Sequence, residues 1–478
     1  MREKEDPYAL HVHLMPKTGW LNDPNGLCEW NGVYHIFFQY SPLDVTGGSK
    51  DWGHYVTKDF CSYTHLPPAL FPDTAQDKDG VYSGSALIHD GKMYLFYTGN
   101  VKEAGAHDYI FSGRQANTML VESEDGRSFE TKELLMTNVD YPASYTCHVR
   151  DPKVYEEDGV YYMVQGGRKK EGKGAVLLFR SEDLHSWKFE KEVTTAEPFG
   201  YMWECPDAFW VGEASFLSCS PQGLLPQEYR YQNTYQSGYF RLQTSLLKTE
   251  QVCEEGFREW DMGFDFYAPQ TFVDEKGRRI LIAWAGIPDA AYDNEPTVKY
   301  GWQHALTLPR ELTLSREQAL LQYPVEELKR LRRDKISLEG DRDATNFTAL
   351  CGGNVFELQL FAGTDASEGA DACAVVITDG TESISLTYKN GVLLFQITAG
   401  AGCGRTQRKL LLQKMYQLSL FVDTSLIEIY VNRGEAVFTS RFYFKGAARI
   451  LTVRGMEKTV CYPLTAFRVE EEEEKELL

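Results

Sequence analysis

The sequence predicts an all-β protein, a five-bladed β-propeller followed by a C-terminal β-sandwich. Three observations predict it. A strand–turn–strand pattern recurs five times in the first two-thirds of the chain. Beyond about residue 340 strand patterns continue but the repeat is lost. Aromatics make up 13% of the 478 residues, with 28 Tyr and 26 Phe among 40 Gly, which favours pleated, half-buried surfaces over helices.

The five copies are NDPNGLCEWNGVYHIFFQY (22–40), SGSALIHDGKMYLFYTG (83–99), RDPKVYEEDGVYYMVQGG (150–167), ECPDAFWVGEASFLSCS (204–220) and APQTFVDEKGRRILIAWAG (268–286). Each starts with a small, polar or Pro-rich element, then runs strand, turn, strand. In four of them the turn carries NG, DG or KG, a hairpin signal. The period suits one four-stranded sheet per copy, hence five blades. The expected domains are a propeller over 1–322, a helical linker over 323–339 around YPVEELKRLRR, and a sandwich over 340–478. VEEEEEKELL (469–478) reads as a solvated tail.

Net charge is −20 and the isoelectric point is about 5, which argues against nucleic acid and against anionic membranes. The N-terminal MREKEDPYALHVHL has no apolar core of a signal peptide, and no apolar run approaches a membrane span. Ten scattered Cys form no CxxC pair and read as free thiols, so the expected location is cytoplasmic. His11-Val-His13 is too little for a metal site, and neither metal nor other cofactor is expected.

In a propeller the first strand of every blade lines the central channel, so the starts of the repeats converge. Asp23, Asp151 and Glu204 open repeats one, three and four at what the pattern suggests are matching positions. Taken singly, Asp-Pro-Asn-Gly is an Asx-turn, Arg-Asp-Pro a turn with a local ion pair, and Glu204 a buried structural acid. Together they suggest glycoside hydrolysis, which needs a proton donor and an ionised carboxylate. Asn22 and Asn25 would keep Asp23 ionised, Arg150 would keep Asp151 ionised, and the apolar Met-Trp-Glu-Cys-Pro setting would raise Glu204. Trp20, Trp52, Tyr82, Trp203, Tyr267 and Trp284 are candidate sugar platforms; taken singly each reads better as core packing between blades, with Trp20 and Trp52 favoured by their place in loops beside the motifs. Gln39, closing the second strand of repeat one, is a candidate for a sugar hydroxyl.

LNDPNG (21–26), FFQY (37–40), WGH (52–54), YSGSA (82–86), RDPKV (150–154), WECPD (203–207), DFYAPQTF (265–272) and LTLPREL (306–312) occur in that order. With LSLFVDTSLIEIYVNRGEAVFTSR (418–441), they resemble the invertase-type glycoside hydrolases of family 32 over nearly the whole chain. The resemblance implies hydrolysis of β-fructofuranosides with retention, carboxyls about 5–5.5 Å apart, and a propeller-plus-sandwich fold. It implies Asp23 as nucleophile, Glu204 as acid/base and Asp151 as transition-state stabiliser. Leu21, Asn22, Gln39, Trp52, Ser83, Arg150 and Trp284, with Trp20 and Tyr82 beside them, would meet the sugar. The stretch 220–240 is similar to bacterial members acting on sucrose or its 6-phosphate. The expected partner is therefore a small sugar: sucrose, sucrose 6-phosphate or a short fructo-oligosaccharide. A fructosyltransferase and a non-catalytic fructan-binding protein are the alternatives. A homodimer would suit the sandwich faces, and oligomeric state stays open. DVTGGSK (44–50) and Tyr63 in FCSYTHLPPAL (60–70) depart from the family pattern, in loops expected to border the pocket.

Overall fold

The computed structural model of the protein describes residues 6–362 and 373–472. Five sheets follow one another along residues 19–324, each built on four antiparallel strands, with short parallel strands added at the edges of the first and third. Blade I comprises Gly19–Trp30, Val33–Ser41, Asp51–Thr57 and Ser62–Leu70. The first strands of blades II to V are Val81–His89, Tyr145–Glu157, Met202–Val211 and Tyr267–Val273. Each first strand packs on the first strand of the next blade, and that of blade V returns to that of blade I. The five first strands thus close a ring, as the repeat predicts.

The turns are built as their residues dictate. Asn31-Gly32, Asp90-Gly91 and Asp158-Gly159 each place two residues at positive φ (54° and 72°, 48° and 74°, 54° and 75°). That is a two-residue hairpin turn whose twist matches the strands. Only Gly, Asn and Asp adopt it at low cost.

The sandwich has two six-stranded sheets. In one, Gln417–Val422, Leu426–Val431 and Ala436–Arg441 are buried at every residue. Strand alternation explains this. Leu418, Leu420, Ile429 and Phe438 face the sandwich core, while Phe421, Tyr430 and Val437 join an apolar cluster shared with blades I and V. One sheet therefore serves two cores.

The segment expected as a helical linker over 323–339 is built differently. Leu320–Pro324 is the outer strand of blade V, Glu326–Leu331 is a 3-10 helix, and Ile336–Glu339 is already a sandwich strand. Buried Val325, Leu328 and Leu331 recur every three residues, the 3-10 period. The expected tail also begins as structure, because Arg468–Glu471 runs parallel to Ser62–His65 on the outer edge of blade I. Residues 473–478 lie outside the described ones.

A buried polar network joins propeller to sandwich. Arg310, from LTLPREL, donates to Glu428 at 2.8 Å, Asp261 at 3.2 Å and Gln322 at 2.9 Å, and is fully buried. His13 bonds Asp423 at 2.9 Å, and Arg405 pairs with Asp265 at 2.8 Å. Backbone bonds from Met262 to Val437 and from Asp265 to Thr439 run alongside. Gly263 lies so close that a Cβ there would stand 2.0 Å from the Thr439 carbonyl oxygen.

Candidate active site

At one end of the ring every first strand slips register against its neighbour. The slips fall between Leu21 and Pro24, Tyr82 and Gly84, Arg150 and Lys153, Glu204 and Asp207, and Tyr267 and Gln270. Such bulges re-aim side chains. Asp151, Cys205 and Ala268, each followed by Pro, adopt left-handed φ of 64°, 45° and 48°. Each costs about 1–3 kcal/mol, strain of a kind that collects at functional sites. These marks also correct the alignment of the acids. Asp151 matches Cys205, and Glu204 stands one residue earlier, in the place of Arg150 and Tyr267. The repeat brings the acids together without giving them equivalent positions.

Asp23, Asp151 and Glu204 all line one cavity of about 540 Å³. Ser83 Oγ donates to Asp23 Oδ2 at 2.7 Å and Asn22 Nδ2 to Oδ1 at 3.0 Å. Asn25, expected as a second donor, instead accepts from the Gly84 amide and is fully buried. Burial pushes the Asp23 carboxyl above its ordinary range, with the Ser83 and Asn22 bonds opposing. Cys205 Sγ sits between two of the acids, 3.6 Å from Asp23 Oδ2 and 3.7 Å from Asp151 Oδ2.

Asp151 accepts from the Cys205 amide at 2.9 Å. Burial pushes it up to about 7, against the pull of Arg150. The sequence expectation of a plainly ionised Asp151 is therefore corrected: the guanidinium that was to hold it down is spent on another acid. Arg150 reaches Glu204 Oε1 at 2.5 Å through Nη2 and 3.2 Å through Nε. Gln222 and the Tyr267 hydroxyl donate to Glu204 Oε2 at 2.6 and 2.7 Å. The setting of Glu204 is thus polar, not the apolar one its sequence neighbours suggest, because Trp203 and Met202 point into the core.

Trp20, Asn22, Gln39, Tyr82, Ser83, Arg150 and Trp284 line the same cavity. Trp20 packs on Trp284 at 5.9 Å, and Trp284 Nε1 is buried with no partner among the described residues. Leu21 and Trp52 do not line it. Leu21 faces the core because strand alternation turns it away from Asn22. Trp52 is fully buried, its Nε1 donating to the Tyr82 carbonyl at 3.1 Å, so it supports Tyr82 from behind. Tyr63 packs on Phe467 in the outer edge of blade I, not at the pocket. The loop 44–50 does border it, through Gly47 and Lys50.

Sequence reasoning placed Tyr267 among the candidate sugar platforms and not as a partner of Glu204, and missed Gln222, Lys50, Arg114 and His148. Tyr267 was legible, because it holds in YAP the place of Glu204 in ECP. Among the described residues one trio could share a metal ion, Cys253, Glu254 and Glu255, and none of the three lines the cavity.

Residues 13–324 match the family model described as the glycosyl hydrolases family 32 N-terminal domain, and residues 347–460 match that of the family 32 C terminal. The chain belongs to glycoside hydrolase family 32. It is a glycosidase of the propeller-plus-sandwich fold. It is 39% identical to the sucrose-6-phosphate hydrolase of Bacillus subtilis over 92% of this chain and 89% of that one. It is 36% identical to that of Salmonella typhimurium, over 98% and 96%. Among solved structures, the sucrose-6-phosphate hydrolase of Lactobacillus gasseri superposes with a TM-score of 0.86 at 28% identity, covering 97% of this chain and 94% of that one. A family 32 β-fructofuranosidase of Bombyx mori gives a TM-score of 0.81 at 30% identity, covering 98% and 96%.

Proposed function

We propose that this protein is a cytoplasmic, retaining β-fructofuranosidase that cleaves sucrose and sucrose 6-phosphate and releases fructose. The observation that carries it is the convergence of Asp23, Asp151 and Glu204 on one cavity, with Cys205 wedged between two of them. The relatives' printed activities point the same way. Among the described residues no helix is long and apolar enough to cross a membrane.

Asp23 attacks C2 of the fructosyl unit from a carboxylate held on both oxygens by Ser83 and Asn22. Glu204 gives its proton to the glycosidic oxygen, and then takes one from the water that releases fructose. Arg150, Gln222 and Tyr267 fix the Glu204 carboxyl on both its oxygens. Asp151 bonds fructose hydroxyls, and Trp20 and Trp284 present ring faces to C–H surfaces. No step needs a metal or organic cofactor. The test is fructose release from sucrose and from sucrose 6-phosphate by the purified protein, beside Asp23→Asn. Release by the wild type and none by a folded Asp23→Asn supports the assignment, and an active Asp23→Asn refutes it.

A further inference from the structure

A long loop, residues 223–237, joins the second and third strands of blade IV, Ala214–Gln222 and Gly238–Arg241. Irregular loops of this length inside a compact domain are uncommon, and most are functional. It meets the sheet through an isolated bridge between Gln222 and Tyr235, continued by the Gln236 amide donating to the Pro221 carbonyl at 3.1 Å. Tyr235 adjoins both groups that hold Glu204 Oε2. Gln222, its partner across the bridge, donates to that oxygen at 2.6 Å. Tyr267, whose ring lies 6.3 Å from the ring of Tyr235, donates to it at 2.7 Å. The Tyr235 hydroxyl donates to Asp289 at 2.8 Å, and Asp289 lines the cavity. Where the loop places Tyr235 therefore bears on where the acid/base carboxyl points.

The other side of this loop is fastened to the sandwich. Gln407–Leu411 is the edge strand of one sandwich sheet, paired on one side with Val392–Ile397. On its open side the Lys409 amide donates to Gln232 Oε1 at 3.0 Å, and the Lys409 carbonyl accepts from Gln232 Nε2 at 2.8 Å. The side-chain amide of Gln232 thus exchanges two bonds with the edge, as a paired strand residue would. Asn233 accepts from Arg408 and donates to the Gly263 carbonyl at 2.9 Å, at the domain join. Covering an edge protects it from foreign strands. Two consecutive side-chain amides bonded at the join do more, because they fix the chain just ahead of Tyr235.

We propose that Gln232 and the sandwich edge Gln407–Leu411 form a clasp that positions the acid/base of the propeller. Gln232 is then a positioning residue for Glu204, acting through Tyr235 on Gln222 and Tyr267. Resting on the β-fructofuranosidase reading above, this gives the sandwich a part in the reaction.

The test is kcat/KM for sucrose and for p-nitrophenyl β-D-fructofuranoside in wild type, Gln232→Ala, Lys409→Pro, their double variant and Lys409→Met. This constant covers the steps up to departure of the leaving group, where Glu204 acts as acid, and nitrophenolate departs without its proton. Proline at position 409 removes the amide that Gln232 accepts from; that amide faces away from the sheet, where edge strands admit Pro. Lys409→Met removes only the ammonium and its bond to Glu228, and should match the wild type. Gln232→Ala and Lys409→Pro are each expected to lower the sucrose constant about tenfold, a fraction of what a general acid supplies, with the nitrophenyl constant held within about twofold. The double variant should be no slower than Gln232→Ala, because the two changes break the same link. Urea unfolding checks that each variant is folded, and Gln232→Ala decides alone where Lys409→Pro is not. An unchanged sucrose constant in folded Gln232→Ala, equal losses on both substrates, or multiplied losses in the double variant would each overturn the clasp and leave the hydrolase assignment standing. No cleavage of sucrose by the wild type would instead refute the assignment itself.

Discussion

Arg310→Met should loosen the join between propeller and sandwich while leaving Asp23, Asp151 and Glu204 in place. Arg310 is fully buried and faces Glu428 and Asp261, which are buried as well. Removing the cation leaves the buried Asp261 without an ion pair and Glu428 with His13 alone, which costs about 3–5 kcal/mol, or about two to four powers of ten in the folding equilibrium. The pH dependence carries a second signature. Burial would raise Glu428; Arg310 and His13 outweigh it and hold the carboxyl at about 2, below its ordinary 4.5. In the wild type that stabilisation is present above 4.5 and lost as pH falls towards 2. In the variant Glu428 takes up a proton at higher pH, so the deficit is largest near neutrality and narrows on acidification. The assay is urea unfolding followed by fluorescence at pH 7 and pH 5, with each of the two units' transitions fitted where they separate. A loss under about 1 kcal/mol, or a deficit that does not change with pH, would refute the reasoning about the charge network.

Other substitutions probe the site. Asp23→Asn should lower kcat by about four orders of magnitude or more with the unfolding midpoint held, read by sugar release and urea titration. Ser83→Ala removes a donor that opposes the upward push of burial on Asp23, so the acidic limb of the kcat/KM profile should move to higher pH; an unmoved limb would detach Ser83 from the nucleophile. Glu204→Gln should slow sucrose far more than a fructoside with an acidic leaving group, since only the former needs the proton. Gly263→Ala should destabilise by about 1–3 kcal/mol, because the added methyl meets the Thr439 carbonyl at the domain join.

Much of this was legible from local chemistry. The Asn-Gly and Asp-Gly turns are written in residues that tolerate positive φ, and the strands between them in their apolar runs. The acids were found because the repeat brings strand starts together. What the repeat could not give was side-chain partnership. Adjacency suggested that Arg150 serves Asp151; in the fold its guanidinium bridges to the next blade and meets Glu204. Trp52 was misplaced for a similar reason, since an aromatic beside a motif and an aromatic behind a motif look alike in sequence. The linker went wrong where a three-residue period was taken for helical spacing. Arg310 sat inside a recognised motif, but its buried partner Glu428 lies 118 residues away in the sandwich and Asp261 49 residues upstream.

The central claim is a double displacement through Asp23, and its stereochemistry tests it most directly. Sucrose is turned over in the presence of methanol, and the methyl fructofuranoside formed first is identified by NMR. Attack by Asp23 followed by transfer to methanol inverts C2 twice, so the account predicts methyl β-D-fructofuranoside. The α anomer would mean a single displacement, and would contradict Asp23 as nucleophile.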